Sequence, residues 1–464
     1  MPEGISRIIS RPILPVSPAV SRRLSAATQA THTQPVFGSS NKHLGDTEVT
    51  DKFYPPDPSP TLVRIAKSAV HRAFNLINAR VVMSNADKQK LHQLVNAPNG
   101  TVIAMNHSAD LDVLAVLEIA RQAKYTPVVM GTVELFQSNF AGLPVGKLIP
   151  KIGGMSVDRA AKNKDATLEG GKQVVRENKY PLLLCPEGYV THANRTVYPL
   201  KNGASHVALD NALKHGQNVN VVPLSLYYHY DKDLSKDIEK RIETLEKAVQ
   251  GQASLTQQPA TTIPERIENL FERLVREREK TYGVTRDTNT SPYERLDTVR
   301  EHVVDRLELR HLNREFDGKG GQEIRARRVA GHLRRTMRDL KQADKKDPRL
   351  QELKADLAEL DDVIDLSMYQ EGYPLDNQDA QMQVLLKLRR DITRDNSWLK
   401  ENPMFLPRYP VKIMVKVGDP IPAANYAQAV NMGTPQRSAE NLYSKAIQTA
   451  LQAGIDASVA ELSR

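Results

Sequence analysis

The stretch TVIAMNHSADLD, residues 101–112, joins an apolar run to a polar turn. The apolar part, Thr101–Met105, predicts a buried β-strand, and the apolar spacing of Val113–Ala123 predicts a helix directly after the turn. Within the turn, His107 lies five residues before Asp112. A histidine that acts as a base needs a partner to fix its tautomer, and a carboxylate does this best. The turn is therefore a candidate catalytic site between a strand and a helix.

The spacing of His107 and Asp112 places the two residues on different elements. Five residues on an ideal helix span about 140° of arc, so His107 is expected in the turn ahead of the helix. Asn106 or Ser108 is then the expected N-cap, and Asp110 is a second candidate for the partner of the histidine. Because the chain has 12 histidines, a pair of this spacing also arises about once by chance. The segments that follow decide its meaning.

Three further segments predict short buried strands that end in loops with charged residues or glycine. Their sequences are GGMSVDR at 153–159, LLLCPEG at 182–188, which continues through PLKNGA at 199–204, and VVPL at 221–224. Helical patterns such as Ala166–Glu177 lie between them. This alternation predicts an α/β sheet with helices on its faces.

Taken in order, these segments resemble the glycerolipid acyltransferase family, typified by 1-acylglycerol-3-phosphate acyltransferase. The family's blocks are Asn-His-x4-Asp, Gly-x-x-x-x-Asp-Arg, Pro-Glu-Gly-Thr and Val-Pro-x, and the resemblance covers about Pro98–Tyr230 with a tail at Tyr409–Ser463. Three places depart from the pattern. Tyr189 stands where the family has Thr, Val190-Thr191 replaces the Arg-Ser that commonly follows, and the segment at 131–133 lacks a basic residue often found there. Because these positions belong to acceptor binding in the family, the acceptor stays open.

The resemblance assigns a role to each matching residue. His107 takes the proton from the acceptor hydroxyl as its oxygen attacks a thioester, and Asp112 holds the imidazole. Arg159 binds a phosphate of the acceptor through its guanidinium group. The alternative role of Arg159 is a surface ion pair with Asp158. The other matches are expected to bind substrate: Asn106, Glu187, Gly188 and Lys201, of which Lys201 can equally be a solvated surface lysine.

The resemblance also implies the reaction. A fatty acyl group moves from acyl-CoA or acyl-carrier protein to the hydroxyl of a lysophospholipid-type acceptor, in phospholipid synthesis. The first acceptor is 1-acylglycerol-3-phosphate, and glycerol 3-phosphate or an aminolipid is the alternative. A different class of function, a non-catalytic lipid-binding module on the same fold, stays open. We expect no metal, and no cofactor beyond the acyl donor, which is a co-substrate.

The charge of the chain points to phosphate-bearing partners. A net charge of +9 and a pI near 9.3 favour anionic lipid or nucleic acid. Nucleic acid is the weaker interpretation, because no helix-turn-helix, finger or RNP pattern is present and aromatic residues make up only 5%. The single Cys185 indicates a reducing compartment, and no apolar run reaches the roughly 18 residues of a membrane span. We therefore expect a cytoplasmic protein that associates peripherally with an anionic membrane surface.

The predicted fold is α/β: a mixed sheet flanked by helices, with a large all-helical insertion. Helical periods replace the alternating pattern after Asp231, and an alternating strand returns at Val411–Val417. The predicted domains are a disordered tail or transit peptide at 1–59, a basic amphipathic helix and lead-in at 60–97, an acyltransferase core at 98–231, an inserted helical domain at 232–406, and a closing strand and C-terminal helix at 407–464.

Several helical patterns carry further predictions. Thr61–Met83 is basic and amphipathic, so it either lies on an anionic membrane or packs on the core. Thr262 and Ser291 begin two predicted capping boxes. The basic run Arg325–Arg349 is either a solvated helix face with internal ion pairs or a docking surface for acyl-carrier protein or anionic lipid.

Overall fold

The computed structural model describes residues 53–136, 145–157, 165–249, 262–313, 321–344, 346–393 and 410–463. These residues form a mixed eight-stranded sheet flanked by helices, and a further set of helices is inserted between two of the strands. The predicted fold class is therefore confirmed. The predicted tail at 1–59, apart from its last residues, lies outside the described ranges.

The sheet takes strands from both sides of the inserted helices. The strands are β1 (Ala79–Met83), β2 (Gly100–Met105), β3 (Val128–Thr132), β4 (Gly154–Val157), β5 (Leu182–Leu184), β6 (Val219–Tyr230), β7 (Val411–Val417) and β8 (Ile421–Pro422). Two 3-10 turns, Val145–Leu148 and Pro150–Ile152, precede β4.

The helices fall into two sets. Those beside the sheet are α1 (Pro60–Leu76), α2 (Asn85–Val95), α3 (Asp112–Gln122), α4 (Val133–Phe136), α5 (Asp165–Glu177), α6 (Gly203–His215), α13 (Ala423–Asn431) and α14 (Gln436–Leu462). The inserted set, called the helical block below, consists of α7 (Ser235–Val249), α8 (Ile263–Tyr282), α9 (Pro292–Leu312), α10 (Gln322–Ala343), α11 (Arg349–Leu366) and α12 (Gln378–Thr393).

The order of strands across the sheet is β1-β7-β6-β2-β5-β3-β4, with β8 beside the start of β6. From β6 to β4 all neighbours are parallel, so the carboxyl ends of β2, β5 and β6 lie at one edge. β7 runs antiparallel to β6, with Tyr230 opposite Val411. The strand predicted at Val411–Val417 therefore joins the sheet that contains Thr101–Met105, across the helical block.

The segment predicted as one helix, Thr61–Met83, is a helix followed by a strand. α1 ends at Leu76, the backbone turns at Asn78 with a φ of 54°, and β1 pairs in parallel with β7. Asparagine adopts this left-handed conformation more readily than most residues. The prediction was wrong at its carboxyl end because Val81 fits helical spacing and also the alternation of a strand.

α1 packs against α3 through one face and exposes the other. Val63, Val70 and Phe74 are buried. Lys67 turns inward, and its ammonium donates to the carbonyl oxygen of Ala120 at 3.3 Å. α1 thus packs on the core while its opposite face meets solvent. Across the described ranges, no helix combines the length and the apolar character that crossing a bilayer requires.

Apolar cores lie on both faces of the sheet. One joins side chains of β2, β6 and β7 to α3 and to α7, α8 and α12 of the helical block. The other lies under α6 and α14. A third core joins α9, α10 and α11. Part of the block therefore shares its core with the sheet, and the predicted domain boundaries, 231/232 and 406/407 among them, stay predictions.

Two helices of the block begin with the predicted capping boxes. At the start of α8, Thr262 Oγ1 accepts from the backbone of Glu265, whose carboxylate accepts from the backbone of Thr262. Ser291 and Glu294 form the same reciprocal pair at the start of α9. Each pair satisfies two backbone donors that a helix end leaves open.

The basic run Arg325–Arg349 carries ion pairs to neighbouring helices. Arg325 is buried and bonds Glu308 of α9 at 2.8 Å, and Arg334 bonds Asp361 of α11 at 2.9 Å. These contacts support the interpretation of the run as a helix face with internal ion pairs. Docking of acyl-carrier protein or lipid on this run stays a prediction.

Candidate active site

Two loops at the carboxyl edge of the sheet form the candidate site. The histidine loop, residues 106–111, connects β2 to α3, and the Pro-Glu-Gly loop, residues 185–202, connects β5 to α6. β2 and β5 are parallel neighbours, so the two loops leave the sheet side by side. Ligand sites of open α/β sheets lie at this edge.

His107 lies in the turn ahead of α3, as its spacing from Asp112 predicts. The predicted N-cap was wrong. Leu111 occupies the N-cap position, and no side chain caps the helix. Asn106 donates to Ser108 Oγ at 2.7 Å instead, because the turn folds these two side chains onto each other rather than onto α3.

His107 and Asp112 form a hydrogen-bonded pair. Nδ1 of His107 lies 2.8 Å from Oδ2 of Asp112, which is the first residue of α3. The side chain of Asp112 is 1% exposed and that of His107 is 18% exposed. The structure therefore selects Asp112 rather than Asp110 as the partner. Since Nδ1 is bonded to the carboxylate, Nε2 is the ring nitrogen that can meet a substrate proton.

Asp112 accepts further hydrogen bonds. The backbone N–H of Ala109 donates to Oδ2 at 3.0 Å, and the hydroxyl of Tyr228, on β6, donates to Oδ1. A buried carboxylate keeps its charge only when such donors replace the water that it has lost. The position at the N-terminus of α3 also favours negative charge.

Opposing effects act on the pKa of His107. Burial lowers it, whereas the hydrogen bond and the charge of Asp112, with the charges of Glu187 and Asp110, raise it. The net result is a pKa above the ordinary value of 6.5. Around Asp110, burial dominates and raises the pKa of its carboxyl. His107 is thus a stronger base than a free histidine, which suits proton abstraction from a hydroxyl.

Glu187 joins the two loops. Its Oε2 accepts from the backbone N–H of His107 at 2.6 Å, and its Oε1 accepts from that of Tyr198 at 2.8 Å. The side chain is 1% exposed. Burial raises the pKa of Glu187 to about 7, while the two N–H donors lower it. Glu187 therefore holds the histidine loop against the Pro-Glu-Gly loop. Its contact with substrate stays a prediction.

Gly188 occupies a position that a larger residue cannot take without strain. Its φ is +82°, and a Cβ built there would lie 2.1 Å from Nζ of Lys201. The positive φ accounts for glycine at this turn, whereas the flexible end of Lys201 can shift away from a Cβ. Its role in acceptor binding stays a prediction.

Asparagine side chains extend the pairing of β6 beyond the end of β2. The amide of Asn106 accepts from the backbone N–H of Leu226 at 2.8 Å and donates to its carbonyl at 3.0 Å. Asn194 makes the same two bonds with Tyr228, each at 2.7 Å. Both site loops are thereby tied to one strand. These bonds favour a positioning role for Asn106, and its contact with substrate stays a prediction. The sequence analysis did not identify Asn194.

Lys201 faces the helical block. Its Nζ lies 4.7 Å from the centre of the Tyr189 ring and 3.7 Å from a carboxylate oxygen of Glu323 on α10. The guanidinium carbon of Arg327, also on α10, lies 5.4 Å from the same ring. Lys201 therefore has partners within the protein, and its predicted phosphate contact is not tested. Arg159, the stronger phosphate candidate, lies outside the described residues.

The segment that connects α11 to α12 in the helical block forms hydrogen bonds with the Pro-Glu-Gly loop. Tyr198 donates its hydroxyl hydrogen to the carbonyl oxygen of Met368. The hydroxyl oxygen of Tyr373 accepts from the backbone N–H groups of Asn194 and Arg195 at 2.9 and 3.3 Å. These partners are more than a hundred residues away in sequence, and no local pattern predicts them.

His192 is a second histidine near the site with opposite electrostatics. It has a φ of +53°, and its Nε2 accepts from Arg390 of α12 at 3.3 Å. Burial and the positive charges of Arg390 and Lys387 hold the pKa of His192 well below its ordinary value. In the pH range in which His107 gains or loses its proton, His192 is therefore neutral. The two imidazoles thus differ in their charge.

The arrangement can remove one proton and stabilise the resulting imidazolium. His107 supplies the base, Asp112 supplies the counter-charge, and Glu187 holds the histidine loop against its neighbour. In the described part of the chain, no three His, Cys, Asp or Glu side chains converge as metal ligands would.

Residues 88–227 match the model of the family described as Acyltransferase. The matched range contains both site loops, His107, Asp112 and Glu187. No curated protein matches the chain. The family match supports acyl transfer as the general activity.

Proposed function

We propose that the protein, whose residues 88–227 match the Acyltransferase family model, moves a fatty acyl group from acyl-CoA or acyl-carrier protein to a lysophospholipid-type acceptor. The acceptor proposed first is 1-acylglycerol-3-phosphate. The observation that carries the proposal is the 2.8 Å hydrogen bond between His107 Nδ1 and the buried carboxylate of Asp112. A histidine held in this way is a general base for a hydroxyl.

In the proposed reaction, His107 Nε2 takes the proton of the acceptor hydroxyl while that oxygen attacks the thioester carbonyl. The tetrahedral intermediate collapses and the carbon–sulfur bond breaks. The imidazolium then returns the proton to the departing thiolate, so the products are an ester and a free thiol. Asp112 stabilises the imidazolium between the two steps, and its burial strengthens this interaction.

The acceptor side of the site supports a preference particular to this chain. The resembled family has Thr after Pro-Glu-Gly, whereas Tyr189 here packs beneath Lys201 and Arg327. A large ring in this place occupies space beside Lys201 that a threonine would leave open. Arg159 is proposed to bind the phosphate of the acceptor. Glycerol 3-phosphate and aminolipids stay as alternatives to be tested in parallel.

We also propose that α1 contacts an anionic membrane surface in the cytoplasm. Its solvent-facing side carries Arg64 and Arg72 with Ile65 and Leu76, which are 56% and 84% exposed. Exposed apolar side chains beside cations suit the boundary of an anionic bilayer, where each cation contributes about 1 kcal/mol. This contact would present the site loops to lipid acceptors.

A direct assay tests the proposed function. Purified protein is incubated with radiolabelled acyl-CoA or acyl-carrier protein and, separately, with 1-acylglycerol-3-phosphate, other lysophospholipids, glycerol 3-phosphate and an aminolipid. We expect transfer to 1-acylglycerol-3-phosphate above the others. Absence of transfer to every acceptor, with donor integrity and folding verified, would contradict the enzyme assignment.

A further inference from the structure

The hydroxyl of Tyr228 is bonded directly to the carboxylate of Asp112. We infer that Tyr228 is a positioning residue, which orients Asp112 and tunes the basicity of His107. The kinetic part of this inference rests on the proposed function, because it takes His107 as the base. Tyr228 lies just beyond the range that matches the family model, and no sequence pattern singles it out.

The two oxygens of Asp112 have separate partners. Oδ2 accepts from His107 Nδ1 at 2.8 Å and from Ala109 N at 3.0 Å, whereas Oδ1 accepts from Tyr228. The terminal torsion of an aspartate is broad when nothing restrains it. The bond from Tyr228 restrains this torsion, so the carboxylate keeps its plane relative to the imidazole.

Tyr228 is itself held in place. Its side chain is 2% exposed, and Asn194 bonds both its backbone N–H and its carbonyl at 2.7 Å. Burial, with the charge of Asp112, raises the pKa of Tyr228 well above its ordinary value. The phenol therefore keeps its proton and acts as a donor. Through its two bonds, Asn194 of the Pro-Glu-Gly loop holds the backbone of Tyr228 in place.

The same hydrogen bond affects how strongly the pair holds a proton. A donor to Asp112 stabilises its negative charge and weakens the pull of that charge on the imidazolium of His107. Removing the donor should raise the pKa of His107 further. The substitution leaves in place the other titratable groups whose charges act on the pair or are acted on by it, which are Asp110, Cys185, Glu187 and His192, and the cation Arg390 beside Asp110.

The neighbouring Tyr227 provides a matched control. It is 1% exposed, and its hydroxyl donates to Oδ2 of Asp379 at 3.0 Å. Successive side chains of a strand point to opposite faces, and Tyr227 belongs to the core on the other face of the sheet. Tyr227→Phe thus removes a buried tyrosine–aspartate bond of the same kind without touching the catalytic pair.

The test compares the wild type, Tyr228→Phe and Tyr227→Phe in acyl transfer between about pH 5 and pH 9. We expect Tyr228→Phe to lower kcat by about tenfold. The acid limb of kcat/KM should move to higher pH by about half a unit to one unit. Tyr227→Phe should leave both within about twofold of the wild type.

A titration by nuclear magnetic resonance gives a readout that needs no substrate. The ¹³Cε1 signal of His107, assigned by its loss in His107→Ala, should titrate at higher pH in Tyr228→Phe than in the wild type. Wild-type kinetics and an unchanged titration in Tyr228→Phe would overturn the inference, as would equal effects of the two variants. If the wild type transfers no acyl group, the proposed function fails and the titration alone decides the role of Tyr228.

Discussion

The histidine loop and the Pro-Glu-Gly loop lie side by side and are both bonded to β6, but the Pro-Glu-Gly loop has further partners in the inserted segment. The side chains of Asn106 and Asn194 bond the two loops to this strand. Between α11 and α12, Tyr373 and Met368 bond the Pro-Glu-Gly loop as well. We infer that the proposed base is positioned by the sheet, whereas the proposed acceptor side also depends on the inserted segment.

The largest expected effect comes from removing the helical block. The ends of the block are close, since Tyr230 pairs with Val411, and this closeness alone would let a short Gly/Ser linker replace the block. The shared core now argues otherwise, because Ile242, Leu270 and Leu385 pack with the sheet. We expect the linker variant to aggregate, since it exposes these contacts of the sheet to water.

The measurement is size-exclusion chromatography with circular dichroism of the purified linker variant. A variant that lacks only the third core, with α10 and α11 replaced by a linker, is the control and should lose less structure. A monomeric, folded linker variant would contradict the shared core.

The next largest effect concerns the histidine loop alone. Asp112→Asn should lower kcat by about 10²- to 10³-fold, because the amide neither fixes the tautomer of His107 nor stabilises its imidazolium. Asp112 raises the pKa of His107, so its removal should also move the acid limb of kcat/KM to lower pH. A pH–rate profile that keeps its wild-type inflection would show that Asp112 does not act through His107.

A smaller effect should separate the second loop from the first. Tyr373→Phe leaves the backbone N–H groups of Asn194 and Arg195 without their acceptor, and such a loss costs about 1–3 kcal/mol. We expect KM for the acceptor to rise several-fold while kcat changes little. Tyr282→Phe, which removes a hydroxyl bond to Asp362 inside the block, is the control. A drop in kcat with unchanged KM would contradict the proposal that the Pro-Glu-Gly loop serves acceptor binding and the histidine loop serves the chemical step.

The last expected effect lies on α1 and concerns membrane binding rather than catalysis. Charge reversal by Arg64→Glu with Arg72→Glu should weaken binding to anionic vesicles by a few kcal/mol, about 1 for each cation lost. Flotation with phosphatidylserine vesicles at low and high salt measures it, because salt screens the attraction. Lys67→Glu is not a suitable control, since Lys67 is bonded inside the protein. Unchanged binding would move the contact away from α1.

Local pattern was enough to predict the strands that carry the site and the pair itself. The strand β5, Leu182–Leu184, begins where the predicted stretch 182–188 begins, and β2 differs from its prediction by one residue. The apolar residues of these segments either alternate strictly or form a short unbroken run, and neither pattern fits the spacing of an amphipathic helix. By contrast, Val81 fits two periods, so the strand β1 was taken as helix.

Long-range contacts set the limit of prediction for the site. His107 and Asp112 are close in sequence, and their bond follows from the turn between them. Tyr228 and Asn194 act on this pair from distant segments, and neither residue type at those positions signals its partner. Glu187 was expected to meet substrate, yet its two oxygens are bonded to backbone N–H groups that only the folded loops bring together.

The central claim is that His107 is the base of acyl transfer, and single-turnover transfer from labelled donor to 1-acylglycerol-3-phosphate tests it most directly. His206→Ala is the matched control, because His206 also bonds a carboxylate, Glu440, at 2.8 Å but lies away from the site, between α6 and α14. We expect His107→Ala to slow the chemical step by about 10³-fold or more with acceptor binding retained, and His206→Ala to act like the wild type. Transfer by His107→Ala at the wild-type rate would contradict the account.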